Sequence, residues 1–590
     1  MIINLINEID KNLSPIEQIL INRGVERDKI SSFLDTRDDV INDYRLLNNI
    51  NNAINCLIYH YENNSKILIQ VDSDVDGYTS AALLYNYLTT NFKDIFIEYQ
   101  VHNSKIHGLD ITEDIINKKY DLIIVPDAGS NQYDIHEELQ NLEIDIIILD
   151  HHECEYESPN AIIVNNQLSE NYLNKALSGV GIVYQFCRAL DNISDSDIHS
   201  HITNADMYLD LVALGLVADM MDLKELETKR LVEKGIQHLL DKKYYNNKFL
   251  MTLVEKQSYS LRNEITPIGI AFYIAPFINA VVRVGTLEER LFVFEAFLVE
   301  NANKIIPSTK RGHKGEEELL VEQAARLLTN IKNRQKKQRD EAFEQYEKHI
   351  TTEYLNNNNI ILVDTKNGVN KNLNGLVANQ IMSKYQRPTL VVSLQKEDNE
   401  EFYIGSGRNI DSNILENFKE FINKSNLAEF AEGHASAFGI KFKKENLHKF
   451  LDYANSVLDF SNKFNEYNVD FIFEVDTLNN QTILDIASLK PFWGKGFEEA
   501  LIAIKGIKVT SKNKVLMSKE KNPTLKIILG DINCIKFNCS LDEFDKLAPN
   551  DFTVSIINIV GKCNKNEWMG NISPQILIED YEIIQNILEF

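Results

Sequence analysis

Six cysteines in 590 residues (Cys56, Cys154, Cys187, Cys534, Cys539 and Cys563) stand far apart, without the paired spacing of a metal site. Reduced thiols in a cytoplasmic protein are the expectation. No uninterrupted apolar run approaches the roughly 20 residues that span a bilayer. The opening MIINLINEIDKN lacks a basic start and a cleavage site, which argues against secretion. Basic residues are also short: 61 Lys and Arg against 87 Asp and Glu leave a net charge of −26. Such a surface does not coat nucleic acid indiscriminately. It remains compatible with an enzyme that is basic only along a channel, its carboxylates partly offset by bound divalent ions.

Apolar residues make up 44% of the chain, ample for several cores, and the length predicts roughly three to five units. After a helical opening (1–60), strands and helices alternate. KILIQV (66–71), DLIIV (121–125) and DIIIL (145–149) read as buried strands, and GYTSAALLYNYLTT (77–90) as a helix. That alternation predicts a mostly parallel sheet covered on both faces. Residues 61–300 form this first α/β unit, turning helical from about 179. A connector (301–350) carries one amphipathic helical pattern over 315–350 without proline. A second α/β unit (351–460) has strands at 360–364 and 389–395, with GSGRN and AEGHASAFG as glycine-bearing turns. The last unit (461–590) is β-rich, with the short runs of a small barrel or sandwich. The expected fold class is therefore α/β: two α/β lobes joined by a long helix, plus a β-rich C-terminal domain.

The chemistry gathers at strand ends. Asp72, Asp74 and Asp76 alternate in VDSDVDG, so on an extended segment they share one face. Like charges so close repel unless cations sit among them. An EF-hand would need an acidic residue at position 83, which is Leu83, so that loop is excluded. Asp127 in VPDAGS could cap a turn. The triplet Asp150-His151-His152 follows a buried strand, and Asp219 ends an apolar helix where an unpaired carboxylate is rare. Asp72, Asp127 and Asp150 all lie just beyond the carboxyl ends of predicted strands, where open α/β sheets bind ligands. Carboxylate with imidazole suits Mn²⁺, Mg²⁺ or Zn²⁺, and the carboxylate excess favours the harder ions.

VDSDVDG, VPDAGS, LDHHE and LVALGLVADM, in that order, resemble the DHH phosphoesterase superfamily and, within it, the RecJ family of single-strand-specific DNA exonucleases. The similarity continues through PFINAVVRVG (276–285), NRQKKQRDEA (333–342), GLVANQ (375–380), GSGRN and EGHASAFG, the mark of the family's DHHA1 lobe, to NEWMGN and PQILIEDYEI of an OB-type domain. The resemblance implies that Asp74, Asp76, Asp127, His151 and Asp219 hold metal, Asp127 bridging two Mn²⁺ or Mg²⁺ ions. It implies that His152 meets the scissile phosphate and that Asp150 orients its neighbours. Asp72 either touches a metal itself or backs a residue that does. Ser406, Arg408 and His434 match positions that hold the DNA backbone or its 5′ phosphate, and Asn279 and Arg283 match a helix that contacts phosphates.

Two departures stand out. The family's Asn-Arg pair is Asn103-Ser104 here, with Lys105 as the substitute cation, and Lys cannot grip phosphate bidentately. Glu432 replaces the first glycine of a Gly-Gly-His. The implied function is 5′ to 3′ hydrolysis of single-stranded DNA in repair, recombination or replication, by a monomer working with a single-strand-binding protein or helicase. Trp568 is a candidate stacking platform or a core residue. The alternatives are a phosphodiesterase on short oligoribonucleotides, a manganese pyrophosphatase (weakened by Gln70 where that branch has histidine) and a non-catalytic scaffold binding DNA or replication proteins.

Overall fold

The apolar runs KILIQV, DLIIV and DIIIL become neighbours in one sheet. The computed structural model describes all residues except 36, 242–246, 263, 367–370, 398–399, 411–413, 461–464, 518–522, 569 and 589–590, and also leaves out the Trp568 side chain. The first sheet has five parallel strands in the order Ile97–Val101, Ile67–Val71, Leu122–Pro126, Asp145–Asp150, Ile162–Asn165. Alternate residues of these strands feed two cores. Ile67, Ile69, Ile124 and Ile147 pack with the helices Val75–Asn91, Gly179–Leu190 and Leu209–Ala218. Leu68, Ile123, Val125 and Ile148 pack on the other face with Ile115 and Leu139. Burial on both faces is why the strands read as continuous apolar runs.

Leu320–Thr352 is a single helix of 33 residues, about 50 Å long. Leu320, Val321, Ala324, Leu328 and Ile331 belong to the first lobe's core, whereas Ala342, Tyr346 and Ile350 belong to the second lobe. One rigid element is thus shared by two cores. The expected helical start at 315 is corrected: Glu317–Leu319 is a strand paired with Ile305–Pro307.

The second lobe has a five-stranded sheet in the order Ala428–His434, Ala437–Lys443, Glu400–Arg408, Thr389–Glu397, Ile361–Asp364. GSGRN, expected as a turn, begins inside the strand Glu400–Arg408. Its glycines serve close approach: a Cβ on Gly405 would lie 2.0 Å from the Val391 carbonyl oxygen, and one on Gly407 2.4 Å from the Phe438 ring.

The C-terminal domain is a seven-stranded sheet dominated by the long pair Thr553–Trp568 and Asn571–Leu588. As a stacking candidate, Trp568 lies outside the described side chains. The first 60 residues do not form a unit of their own. Ile2–Leu5 pairs in parallel with Glu466–Val469, and Ile19, Leu20, Ile30 and Phe33 enter the C-terminal core. Arg23 forks onto buried Asp470 through Nη1–Oδ1 (2.8 Å) and Nη2–Oδ2 (3.0 Å). The helix Ile50–Glu62 instead packs on the first sheet through Ala53 and Leu57.

None of the six cysteines is in a disulfide. Among the described residues, one apolar stretch, Pro267–Val284, has the length and composition of a membrane crossing; it is half buried and divided into the helices Pro267–Tyr273 and Ala275–Val284.

Candidate active site

Asp72 follows the strand Ile67–Val71, Asp127 follows Leu122–Pro126, and Asp150 ends Asp145–Asp150. All three therefore sit on the carboxyl edge of the sheet. Asp74 caps the helix Val75–Asn91, accepting from the Gly77 N–H at 2.9 Å. Gly77 is required there, because a Cβ would lie 2.5 Å from Asp72 Cβ and 2.8 Å from its carbonyl oxygen. Asp76 follows in the first helical turn, buried, with its Oδ1 accepting from Ser178 Oγ (2.9 Å) and Val180 N–H (3.3 Å).

Asp127 sits at φ 72°, a left-handed conformation that is unfavourable for a side chain other than glycine. Its N–H donates to the Leu149 carbonyl at 2.8 Å, which ties it to the neighbouring strand end. His151 Nε2 lies 3.3 Å from Asp127 Oδ1 and 3.4 Å from Asp219 Oδ2. Donor atoms of Asp76, His151 and Asp219 all fall within 4.8 Å of one another, as do those of Asp127, Asp150, His151 and His152. Side chains from four separate stretches of the sequence thus converge.

Three buried atoms in this group have no hydrogen-bond partner among the described residues: Asp76 Oδ2, Asp127 Oδ1 and His151 Nε2. Orphaned buried polar atoms cost about 1–3 kcal/mol each, more when charged. Burial pushes the Asp76 carboxyl up to about 6, with the Asp74 charge adding to it. Burial, then the Asp76 and Asp74 charges, raise Asp127 and Asp219 well above the carboxylate range. Burial and the neighbouring His152 lower His151 to about 4, leaving a neutral imidazole lone pair. Inward-facing carboxylates with one neutral imidazole make a donor set that fits a hard divalent cation such as Mn²⁺ or Mg²⁺.

Asp150 is saturated by other bonds. Its Oδ1 accepts from His151 N–H (2.7 Å), His152 N–H (3.2 Å) and His152 Nδ1 (2.8 Å), and its Oδ2 from Ser130 N–H (3.1 Å). Burial, which lowers His152, is outweighed by this carboxylate, and the imidazole rises to about 9 with its ring half exposed. Asp72 is saturated too: Oδ2 holds His107 Nδ1 at 2.7 Å and Oδ1 accepts from Gly108 N–H at 2.8 Å. His107 was not among the residues the sequence singled out; its only signal was its place in HNSKIHG, the segment that departs from the family.

Lys105, Asn279 and Arg283 line one cavity of about 170 Å³ together with Asp74, Asp76 and Asp219. Burial, then the Arg283 charge, depress Lys105 and bring Arg408 down to about 10. Lys332 of the long helix is lowered to about 8 by burial, then by Arg283 and Arg339. Lys105, Arg283, Lys332 and Arg408 form no ion pair with another described residue. The lobes touch here, where Asn372 Nδ2 donates to the Arg283 carbonyl at 3.2 Å. Ser406 and Arg408 share a sheet face with Glu432 and His434 through the rows Ser406–Gly439–Glu432 and Arg408–Ala437–His434. Ser406, Arg408 and His434 do not line the cavity.

The DHH family N-terminal domain matches residues 66–216, and the RecJ OB domain matches residues 469–580. The fold and this pair of domains define a DHH phosphoesterase. A putative SPbeta prophage-derived single-strand DNA-specific exonuclease, YorK, of Bacillus subtilis is 36% identical over 585 residues, covering 98% of both chains. The single-stranded-DNA-specific exonuclease RecJ of the same organism is 24% identical, over 96% of this chain and 67% of its own. The crystal structure of RecJ with Mn²⁺ from Thermus thermophilus superposes with a TM-score of 0.71 at 18% identity, over 98% of this chain and 77% of that one. The chain belongs to the RecJ-like family of single-strand-DNA-specific exonucleases.

Proposed function

We propose that the protein is a single-strand-specific 5′ to 3′ exodeoxyribonuclease that hydrolyses phosphodiester bonds with two Mn²⁺ or Mg²⁺ ions. The observation that carries this reading is the convergence of Asp76 Oδ2, Asp127 Oδ1 and His151 Nε2, three buried atoms that no hydrogen bond from the described residues satisfies. Asp74, Asp76, Asp127, His151 and Asp219 hold the ions. Bound there, the ions would activate a water and neutralise charge on the phosphate. Asp150 orients His152 by the 2.8 Å bond to Nδ1. The half-exposed His152 ring then stabilises the charged transition state from its other nitrogen and can protonate the leaving oxygen. Asp72 positions the 107–108 loop, since both its oxygens are engaged.

Lys105, Asn279 and Arg283 from one lobe and Ser406, Arg408 and His434 from the other grip the strand's phosphates. A cleft between lobes that share one helix admits a single strand and excludes duplex. The C-terminal domain holds the strand on the 3′ side of the scissile bond. The reading places the enzyme in the cytoplasm as a monomer, in DNA repair, recombination or replication, beside a single-strand-binding protein or helicase.

The test is incubation with 5′-labelled single-stranded DNA, duplex DNA and RNA plus Mn²⁺. Short 5′ products from single-stranded DNA alone, lost in Asp127→Ala with the fold retained by circular dichroism, are expected. Digestion by Asp127→Ala at the wild-type rate refutes the metal assignment. Preference for short RNA moves the protein to the oligoribonucleotide branch.

A further inference from the structure

The loop between the strand Ile97–Val101 and the helix Glu113–Lys118 is pinned at three points. Asp72 takes His107 Nδ1 and Gly108 N–H. Ser73 Oγ donates to the Ser104 carbonyl at 3.2 Å. The Gln132 amide both accepts from Leu109 N–H (2.6 Å) and donates to the Leu109 carbonyl (3.0 Å). Gly108 makes the turn at φ 81°, with a would-be Cβ 2.1 Å from Gln132 Oε1. So firmly held a loop presents its side chains in fixed directions.

Lys105, two residues before His107, lines the cavity that holds Asp74 and Asp76. Donor atoms of His107, Asp72 and Asp74 lie within 4.8 Å of one another. His107 is half exposed, at 51%, and with Nδ1 committed to Asp72 its Nε2 has no hydrogen-bond partner among the described residues. An imidazole backed by a buried carboxylate and open on its far side is built to donate to an anion.

We propose that His107 contacts the substrate directly, donating from Nε2 to a backbone phosphate next to the scissile one while Asp72 holds its Nδ1. The inference rests on the nuclease reading above. It makes His107 and Lys105 together the substitute for the cation missing at Ser104. An imidazolium held between a carboxylate and a phosphate donates at both nitrogens, and no proton leaves it during turnover.

The two ring nitrogens can be tested apart. Asn places an amide nitrogen near the Nδ1 position and keeps the Asp72 bond, but has nothing at Nε2. Gln reaches the Nε2 position. Binding to a single strand is measured by anisotropy in EDTA, and turnover with Mn²⁺. For His107→Asn the expected result is a roughly tenfold weaker affinity, expressed in KM more than in kcat, and a salt slope shallower by about 0.7, with His107→Gln recovering part of both. If His107→Asn matches the wild type in affinity and slope, the histidine is only a buttress for Asp72 and the inference falls. Should either variant melt below the wild type, methylphosphonate substitution in the strand decides on the wild-type protein. A neutral linkage at the contacted position must weaken binding, and no position doing so overturns the inference. Failure of the wild type to degrade any single strand with Mn²⁺ is a separate result, and refutes the nuclease reading itself.

Discussion

Gly179 sits so close to Asp127 that a Cβ added to it would lie 2.3 Å from the Asp127 Oδ1 atom. That oxygen is one of the three atoms without a hydrogen bond from the described residues, so the glycine controls where it points. That Cβ would also lie 2.4 Å from Asp127 Cβ and 2.5 Å from its Cα, so Gly179→Ala is expected to push the backbone at Asp127 aside and the carboxylate with it. Misplacement by about 1 Å costs roughly 10²-fold in rate. Activity measured across a Mn²⁺ titration checks this: wild-type activity at every concentration would show that the neighbours relax without moving Asp127.

Removal of divalent ions should expose the repulsion at the site. Asp76, raised to about 6, binds a proton more readily folded than unfolded, and Asp127 and Asp219 shift the same way. Their contribution to stability is complete below the unfolded carboxylate pKa and lost as pH rises through the folded value. In EDTA the catalytic lobe should therefore melt at a lower temperature at pH 8 than at pH 5. Mn²⁺ should raise the melting temperature strongly at pH 8 and weakly at pH 5, because protons compete for the same oxygens. Calorimetry in the four conditions is the measurement.

Arg283 joins the cavity to the other lobe through its backbone bond to Asn372 and its side chain in the cavity lining. Arg283→Lys keeps the charge but loses the fork, and Arg283→Ala loses both. Affinity for single-stranded DNA should fall in the order wild type, Lys, Ala, and each phosphate no longer gripped should flatten the logarithmic salt dependence by about 0.7. Equal slopes in all three proteins would mean that Arg283 faces no phosphate.

The Arg23–Asp470 fork is almost fully buried, at 8% and 0% side-chain exposure. Breaking such a pair from one side leaves an uncompensated charge and costs about 3–5 kcal/mol. Arg23→Ala should destabilise the C-terminal domain by that amount in urea unfolding. Replacing Arg23 and Asp470 together with apolar residues should recover much of it.

The sheet at the active site was legible because its strands are buried on both faces, so Ile67–Val71 and Leu122–Pro126 stand out as unbroken apolar runs ending at Asp72 and Asp127. The identities of the converging residues came from motif order, and their convergence only from coordinates. Three things left no local trace. Ile2–Leu5 pairs with Glu466–Val469, and no periodicity spans that separation. GSGRN has the composition of a turn, yet Gly405 and Gly407 lie in a strand where their hydrogens make room for Val391 and Phe438. His107 is one histidine in an irregular loop, and only the 2.7 Å approach to Asp72 gives it meaning.

Because Ile2–Leu5 pairs with Glu466–Val469 and residues 19–33 complete a core supplied from Phe471 onward, that core stays unfinished until those much later residues have left the ribosome. Ile19, Leu20 and Phe33 must wait uncovered through that interval, made long before the residues they dock against. A fragment cut to contain residues 461–590 alone would be missing a wall, and supplying residues 1–35 as a separate peptide should restore it.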